Sequence, residues 1–361
     1  MSDAKPTSAV STGILTPALF RASREASRKR EELDKLLSNG IGRYSSPDTS
    51  LVIFGSLARG EWTSGSDLDW TYLIDGEANS DHLVIAQKIQ SLLDQEKNKK
   101  TFRPPSPTGI FGNIAFSHDI IHQIGGRSDT NENTTRRVLL LLESRAIGES
   151  TAAYERVIEG VIGRYLEEDN NHLLTRDLAR YRVPRFLLND IVRFWRTMAV
   201  DFASKQRDRG GKGWGLRNAK LRMSRKLIFA SGMLVCFGVQ LDPALRKKIS
   251  TDKNDVKFQL LQHIREHVKL TPLEILAKSI ELYRVPNSIA KELLDSYAKF
   301  LKVLDDKDDR IALEKLRSED SRTDATFKRV RKISESFQHA LDYIFFKNPQ
   351  IAPLTRTYGV F

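Results

Sequence analysis

The sequence predicts an α+β protein, in which a small α/β unit is followed by a mainly helical second domain. Three segments rich in β-branched and aromatic residues lie between residues 50 and 124, with one amphipathic helical segment among them. From residue 134 onward, apolar residues recur at helical spacing almost to the C-terminus. With 361 residues, 40% of them apolar, the chain is long enough for about two domains.

The first half of the chain carries the strand signals. Residues 1–16 are rich in Ser and Thr and are predicted to form a mobile tail, and a charged helix opened by Pro17 is expected over 17–38. A second helix is expected over 82–96. We assign these elements to a first domain over residues 17–150. The predicted strands are SLVIFG (50–55), LDWTYLI (68–74) and NIAFSHDIIHQI (113–124).

The second half is predicted to be helical, with a second domain over residues 151–350 and a C-terminal tail over 351–361. The glycine-rich basic segment DRGGKGWG (208–215) is expected to be a loop between two helices. The last two long helices are a candidate surface for a homodimer. The predicted helices cover 134–147, 153–167, 185–204, 216–239, 255–268, 272–304 and 324–346.

Composition narrows the class of protein. No apolar run approaches the ~20 residues that a membrane span needs, and the N-terminus lacks the pattern of a signal peptide. We therefore expect a cytoplasmic protein without a membrane partner. The lone Cys236 lies in an apolar run and is expected in the core, because one cysteine builds neither a disulfide nor a metal cluster. The net charge of +12 favours polyanionic ligands such as nucleic acid or nucleoside triphosphates.

The segment VIFGSLARGEWTSGSDLDWTYLI (52–74) places two aspartates at the start of a predicted strand. Side chains alternate along a strand, so Asp67 and Asp69 project to one side while Leu68 and Trp70 project to the other. Two carboxylates held close together repel each other unless a cation lies between them. A site of carboxylate oxygens suits Mg²⁺, so the pair predicts a divalent metal site.

A Gly-Ser turn precedes this acidic pair. Gly55 lets the backbone approach a ligand closely, and Ser56 adds a hydroxyl, so the turn is a candidate phosphate site. Ser66, next to the first aspartate, is a further candidate phosphate ligand. Either motif alone is common in turns and caps, but their ordered combination between two apolar strands favours a metal-dependent phosphate site.

At these residues the sequence resembles the polymerase β-like nucleotidyltransferase superfamily, whose signature is an apolar residue, Gly-Ser, a spacer and Asp-x-Asp. The resemblance implies an α/β core with a mixed sheet, phosphate binding at Gly55 and Ser56, and two Mg²⁺ or Mn²⁺ ions on Asp67 and Asp69. Two such ions stabilise the attacking and leaving oxygens of a phosphoryl displacement. The implied reaction transfers a nucleoside monophosphate from an NTP or dNTP to a hydroxyl and releases pyrophosphate.

Members of that superfamily take a third carboxylate from a neighbouring strand. Asp119 is the candidate, because alternation in the predicted strand 113–124 places it on a polar face. Its implied role is to ligate a metal and help deprotonate the attacking hydroxyl. Asp129 is the second candidate, and a carboxylate satisfied by a neighbouring turn is the structural alternative.

The predicted strand that contains Asp119 also contains His118 and His122. Two histidines four residues apart suit a metal site on a helix but not on a strand. We therefore expect hydrogen-bonded roles in the core or behind the site for both.

The helical half offers a cluster of cations for a triphosphate. An ion pair between Asp190 and Arg193 on one helix is the structural alternative for that arginine. The candidates are Arg193 and Arg196 on the helix over 185–204, and Lys220, Arg225 and Lys226 after the glycine-rich loop.

The predicted two-domain order resembles poly(A) polymerases, oligoadenylate synthases and bacterial cyclic-oligonucleotide synthases. Segments such as GSLARGEWTSGSDLDW and FSHDIIHQIGG further resemble the nucleotidyltransferases of the Hailong anti-phage defence system. That resemblance implies synthesis of single-stranded oligodeoxyadenylate, primed on a tyrosine near the C-terminus. Tyr358 in LTRTYGVF is the candidate primer, and packing of the tail is its structural alternative.

Other functions stay open at this stage. An enzyme of the toxin–antitoxin type would attach one nucleotide to a partner protein, and a small-molecule nucleotidyltransferase would modify a small acceptor. A non-catalytic binding module is disfavoured because both Asp67 and Asp69 are present. The candidate partners are therefore a nucleoside or deoxynucleoside triphosphate, a single-stranded nucleic acid product and an effector protein.

Overall fold

The computed structural model describes residues 16–105, 110–169, 182–208, 210–251 and 256–359. It confirms the predicted α+β class, with one small sheet and many helices. The predicted mobile tail lies outside the described residues except for Thr16, and so do the last two residues of the C-terminal tail. The division into domains stays a prediction.

A mixed sheet of four strands forms the α/β part. The strand order is β3-β2-β1-β4, with β1 antiparallel to both of its neighbours and β2 parallel to β3. In this register Phe54 at the end of β1 pairs with Asp69 at the start of β2 and with Ser144 at the start of β4. Three strand termini therefore meet at one edge of the sheet. The strands are β1 Thr49–Phe54, β2 Asp69–Ile74, β3 Asn113–Phe116 and β4 Ser144–Ile147.

Helices surround the sheet and continue beyond it. The helices before residue 170 are α1 Pro17–Ile41, α2 Gly55–Ala58, α3 Ser80–Leu93, α4 Glu96–Lys99, α5 Ser117–Ile121, α6 Asn131–Leu142 and α7 Ala152–Glu168. The helices after residue 180 are α8 Arg185–Asp208, α9 Trp214–Lys220, α10 Lys226–Leu241, α11 Pro243–Thr251, α12 Val256–Val268, α13 Pro272–Leu282, α14 Asn287–Asp305, α15 Lys307–Lys315, α16 Ala325–Asp342 and α17 Ile351–Leu354. A π-helical turn, Leu221–Arg225, joins α9 to α10.

The sheet is buried on both faces, because the side chains of β1 alternate between two cores. Leu51 and Ile53 pack in a core with Leu33 and Leu37 of α1. Val52 and Phe54, together with Leu73 of β2, pack in the other core, which continues without a break through the helical half. The helical half thus packs directly on one face of the sheet.

Three sequence predictions of secondary structure are wrong in part. The strand over 113–124 ends at Phe116, and Ser117 begins the short helix α5, whose first turn accommodates Asp119. The helix over 134–147 ends at Leu142, since the next residues pair with β1 as strand β4. The helix over 272–304 is interrupted at a positive φ of 53° at Arg284, shortly before Pro286.

In the part of the chain that the structure describes, one helical run, Trp214–Leu241, is long and apolar enough to cross a membrane by length and composition alone. Its most apolar window is 72% buried inside the protein. That burial favours a core helix over a membrane span, and Cys236 is buried in it as expected.

Gly55 offers a test of the packing at the sheet edge, with Gly125 as its matched control. Both have a left-handed φ, +69° and +68°, so Ala at either position is expected to cost about 1–2 kcal/mol of unfolding free energy. Only a Cβ at Gly55 would also meet a neighbour, Asp69 Oδ2, at 3.0 Å. Gly55→Ala should therefore destabilise more than Gly125→Ala in urea unfolding. Equal losses would contradict this close packing.

Candidate functional site

The acidic pair lies at the sheet edge where three strand termini meet. Asp67 is exposed and Asp69 is half-buried, whereas Leu68 and Trp70 are buried, so the predicted alternation is confirmed. The N–H of Leu68 donates to the carbonyl oxygen of Arg103 at 2.8 Å, which fixes the backbone between the two aspartates. Both carboxylates therefore face the same side of the sheet edge.

The Gly-Ser turn adjoins this pair directly. The carboxylate of Asp69 lies against Gly55, whose missing side chain makes room for it. Ser56 is half-buried in the first turn of α2 and borders the same edge. Ser66 differs, because it is buried and its Oγ accepts a hydrogen bond from the N–H of Thr63 at 3.1 Å. Its observed contact closes the loop before the aspartates.

The surroundings of Asp69 favour a cation. The pKa of Asp69 is raised to about 6, mainly by burial. The nearby carboxylates of Glu143 and Asp67 add to the rise, whereas Arg225 and Lys220 oppose it. Among the residues that the structure describes, no basic group forms a direct ion pair with Asp67 or Asp69. The negative charges of the two carboxylates are thus close together and only partly balanced by nearby positive charges.

Glu143 is a third carboxylate at this edge, and the sequence did not predict it. It lies immediately before β4, and its side chain is fully buried. Its Oε2 accepts a hydrogen bond from Arg59, and its Oε1 accepts one from Arg225 at 2.9 Å. Because both oxygens are occupied by arginines, Glu143 anchors Arg225 beside the site instead of offering a free ligand.

Cations from the helical half face the pair. The pKa of the half-buried Lys220 is lowered overall, mainly by burial. Asp67 and Asp69 oppose this shift, whereas Arg310 and Arg225 add to it. Lys220 and Arg225 thus lie within electrostatic range of the aspartates, and their contact with a triphosphate stays a prediction.

Arg310 was missed by the sequence analysis. It is buried on α15 and lies over Gly65 in the loop before the aspartates, where a Cβ would come within 2.2 Å of its Nε. The only sequence signal was a single arginine after an acidic run, DDKDDR, in a helix that had not been predicted.

Asp119 is not brought to the acidic pair. Strand β3 runs parallel to β2 with Phe116 opposite Ile74, so the chain after β3 lies at the far end of β2 from Asp69. Six strand residues span about 17 Å. Asp119 is exposed on α5 there. At the near end, Asn113 pairs with Thr71, so β3 presents an amide instead of a carboxylate.

Asp129 and Arg193 belong to a buried ion-pair network elsewhere. Arg137, fully buried, binds Asp129 and Asp190 at 2.8 Å each, and Arg193 binds Asp129 at 3.2 Å. The network lies near the start of α6, and twelve helical residues, or about 17 Å, separate that end from Leu142 beside the site. Arg193 is therefore in an ion pair, as the structural alternative held, but with Asp129 and not with Asp190.

Three other predicted residues have different surroundings. Arg196 is exposed on α8, and Lys226 donates a hydrogen bond to Gln338 on α16. Tyr358 is half-buried, with the guanidinium of Arg185 5.8 Å from its ring centroid. The adjacent Gly359 packs near Met233 on α10, about 12 Å along that helix from Arg225.

The histidine pair near Asp119 was assigned wrongly. His118 and His122 are both exposed, on α5 and at its end, with ring centroids 5.0 Å apart. The expected core role assumed that the strand continues to residue 124. Because the strand ends at Phe116, both histidines lie outside it and are not in the core.

The residues at the edge fit a divalent cation. Asp67 and Asp69 supply carboxylate oxygens on one face, and the raised pKa of Asp69 reflects a charge that a cation would stabilise. A bound Mg²⁺ or Mn²⁺ would supply positive charge to phosphate oxygens there.

The pKa of Asp69 predicts how stability depends on pH. Without metal, the raised pKa means that ionised Asp69 destabilises the fold above about pH 6, and this penalty fades as the pH falls towards its ordinary value near 4. Asp69→Asn should therefore raise the unfolding free energy by about 1–3 kcal/mol at about pH 7.5 and not at about pH 4. Urea unfolding in the presence of a chelator measures this.

The matched control is Asp67→Asn, which should stabilise less because Asp67 is exposed. Added Mg²⁺ should raise the Tm of the wild type and not that of Asp69→Asn. If the stability difference between Asp69→Asn and the wild type were constant across this pH range, it would contradict the raised pKa of Asp69.

A comparison with known protein families agrees with this geometry. Residues 33–104 match the family model described as the nucleotidyltransferase domain, a segment that contains the Gly-Ser turn and both aspartates. A search of the curated proteins found no match to the chain. The match supports a nucleotidyltransferase domain of the polymerase β-like type in this segment, which is the part of the chain that carries the acidic pair.

Proposed function

We propose that the protein is a metal-dependent enzyme that transfers a nucleoside monophosphate from an NTP or dNTP to a hydroxyl and releases pyrophosphate. The observation that carries the proposal is the sheet edge itself. There the carboxylate of Asp69 lies against the Gly55 turn, and Lys220 and Arg225 lie within electrostatic range of the aspartates. Acidic metal ligands beside both a phosphate turn and basic side chains suit a nucleoside triphosphate.

Each group then has a role. Asp67 and Asp69 hold the divalent cations, two in number by the resemblance, and the Gly55–Ser56 turn contacts phosphate oxygens. Lys220, Arg225 and Arg310 neutralise the triphosphate and the charge that develops on the leaving pyrophosphate. A buried arginine suits this task because it keeps its charge where a lysine loses it readily.

We extend the proposal to template-independent synthesis of an oligonucleotide by a cytoplasmic enzyme. The support is the resemblance to oligonucleotide-synthesising enzymes and the net charge of +12, which favours a polyanionic product. A role in anti-phage defence follows from the same resemblance. Priming on Tyr358 requires the tail to leave its packing beside Arg185 and Met233.

The activity assay incubates the purified protein with each labelled NTP and dNTP in Mg²⁺ or Mn²⁺, followed by denaturing gels with and without protease. We expect labelled product from the wild type and a loss of about 100-fold or more in Asp67→Asn and in Asp69→Asn, since each removes charge from the metal site. Asp119→Asn is the matched control and should retain activity, because Asp119 lies at the other end of β2.

The form of the product separates the remaining alternatives. A ladder shifted by protease and lost in Tyr358→Phe indicates protein priming, and a ladder that protease does not shift indicates free oligonucleotide. A single adduct on an added partner protein indicates the toxin–antitoxin type of enzyme. Full activity in both Asp67→Asn and Asp69→Asn would sink the proposed site.

Glu143→Gln tests the anchoring of Arg225. Loss of the charge between Arg59 and Arg225 should lower the unfolding free energy by about 3–5 kcal/mol and free Arg225 from the site. The KM for the triphosphate should then rise about tenfold, which corresponds to about 1.4 kcal/mol of binding. The measurement is steady-state kinetics well below the Tm of the variant.

Glu61→Gln is the control for this variant, because Glu61 binds Arg59 at 2.8 Å and no contact joins it to Arg225 in the described part of the chain. It should lower stability without raising the KM. A rise in KM of the same size in both variants would mean that lost stability, and not the position of Arg225, causes the effect.

A further inference from the structure

A cluster of metal-ligating side chains lies far from the acidic pair. Asp242, His263 and His267 each offer one ligand atom, and these atoms lie within 4.8 Å of one another. Asp242 follows the last residue of α10, while Arg225 precedes the first. The sixteen residues of that helix span about 24 Å, so the cluster is separate from the site at the sheet edge.

Two helix termini bring the cluster together. His263 and His267 are four residues apart in the second half of α12, so they share one face of the helix. Asp242 lies between α10 and α11, where its Oδ1 accepts a hydrogen bond from the N–H of Ala244 at 2.8 Å. This bond fixes the carboxylate and leaves Oδ2 directed at His263, 3.9 Å from its Nδ1.

Both imidazoles are suited to bind a metal. The Nδ1 of His267 lies 2.8 Å from the carbonyl oxygen of His263, which can only accept, so Nδ1 carries the proton and Nε2 has the free electron pair. Metal-binding histidines are commonly oriented by such a bond.

His263 is nine-tenths buried, and its Nε2 has no hydrogen-bond partner among the described residues. A buried ring nitrogen without a hydrogen-bond partner is available to bind a metal ion.

A cation is already attracted to this place. The ammonium group of Lys278 on α13 lies 3.2 Å from Nε2 of His267. The carbonyl ends of α10 and α12 also favour positive charge nearby.

We propose that Asp242, His263 and His267 bind one Zn²⁺ ion, with Lys278 as a competitor for the electron pair of His267. Two imidazoles and one carboxylate suit Zn²⁺ and not Mg²⁺, which prefers oxygen ligands. The ion would join the ends of α10 and α12 and so stabilise the helical half.

The role is structural and not hydrolytic. Residues 263–267 read HIREH, which matches the H-x-x-E-H order of some zinc peptidases. In those enzymes the glutamate takes part in the chemistry. Here Glu266 is 63% exposed and binds Lys269 at 3.0 Å, on the surface of the helix.

The test measures zinc in the full-length protein. Protein stripped with a chelator is equilibrated with Zn²⁺ and dialysed, and bound zinc is counted by mass spectrometry; Co²⁺ is added in parallel to record its visible spectrum. We expect about one equivalent of zinc and a Co²⁺ spectrum typical of nitrogen and oxygen ligands. Both should be lost in His263→Gln and in Asp242→Asn, of which the second keeps the helix cap.

The double variant His118→Gln/His122→Gln is the matched control, because it removes an exposed histidine pair of the same spacing. It should bind zinc as the wild type does. Zn²⁺ should also raise the Tm of the wild type and of this control, and not that of Asp242→Asn.

Lys278→Gln tests the competition directly. Removing the ammonium group should tighten Zn²⁺ binding about tenfold, because a positive charge no longer opposes the ion. Equal zinc content in wild type and Asp242→Asn, loss of zinc in the His118/His122 variant, no zinc in the wild type, or unchanged affinity in Lys278→Gln would each overturn the proposal.

Discussion

The arrangement of the site depends on one buried carboxylate, Glu143, held between two arginines. Arg59 comes from the loop after the Gly-Ser turn, and Arg225 comes from the π-helical turn between α9 and α10. A single anion thus ties the sheet edge to the helical half, and it does so where Asp69 also lies. Inside a protein, removing one member of such a group leaves the others buried and uncompensated. The position of Arg225 relative to the aspartates therefore follows from this bridge.

The register of the sheet supplies the other half of the arrangement. Because β1 is antiparallel to both β2 and β4, its C-terminal end meets the start of each neighbour at Phe54. Glu143 is distant in sequence from the Gly-Ser turn and from Asp69, and it is adjacent to them in space for this reason. The same register places the chain after β3 at the opposite edge, which keeps Asp119 away. The topology of the sheet therefore explains both why Glu143 lies beside the acidic pair and why Asp119 does not.

The two histidine pairs show what the spacing of residues in a sequence can and cannot predict. The two histidines of each pair are four residues apart, and from the sequence only His118 and His122 stand out as a possible metal pair. In the structure that pair is exposed, whereas His263 and His267 are buried beside Asp242. Spacing indicates that two side chains can share a helix face. It does not indicate what faces them, which depends on helices that meet only in the fold.

The sequence by itself determined the acidic pair and its turn. Asp67, Asp69, Gly55 and Ser56 lie within fifteen residues, so strand alternation and turn chemistry, which are local, were enough to predict them. The α+β class was also predictable, because hydrophobic periodicity is local. Only the tertiary structure decided that Glu143 and Arg310 lie near the aspartates and that Asp119, Asp129 and Arg193 do not. Those outcomes depend on strand register and helix packing over more than fifty residues, and no local pattern records contacts at such separations.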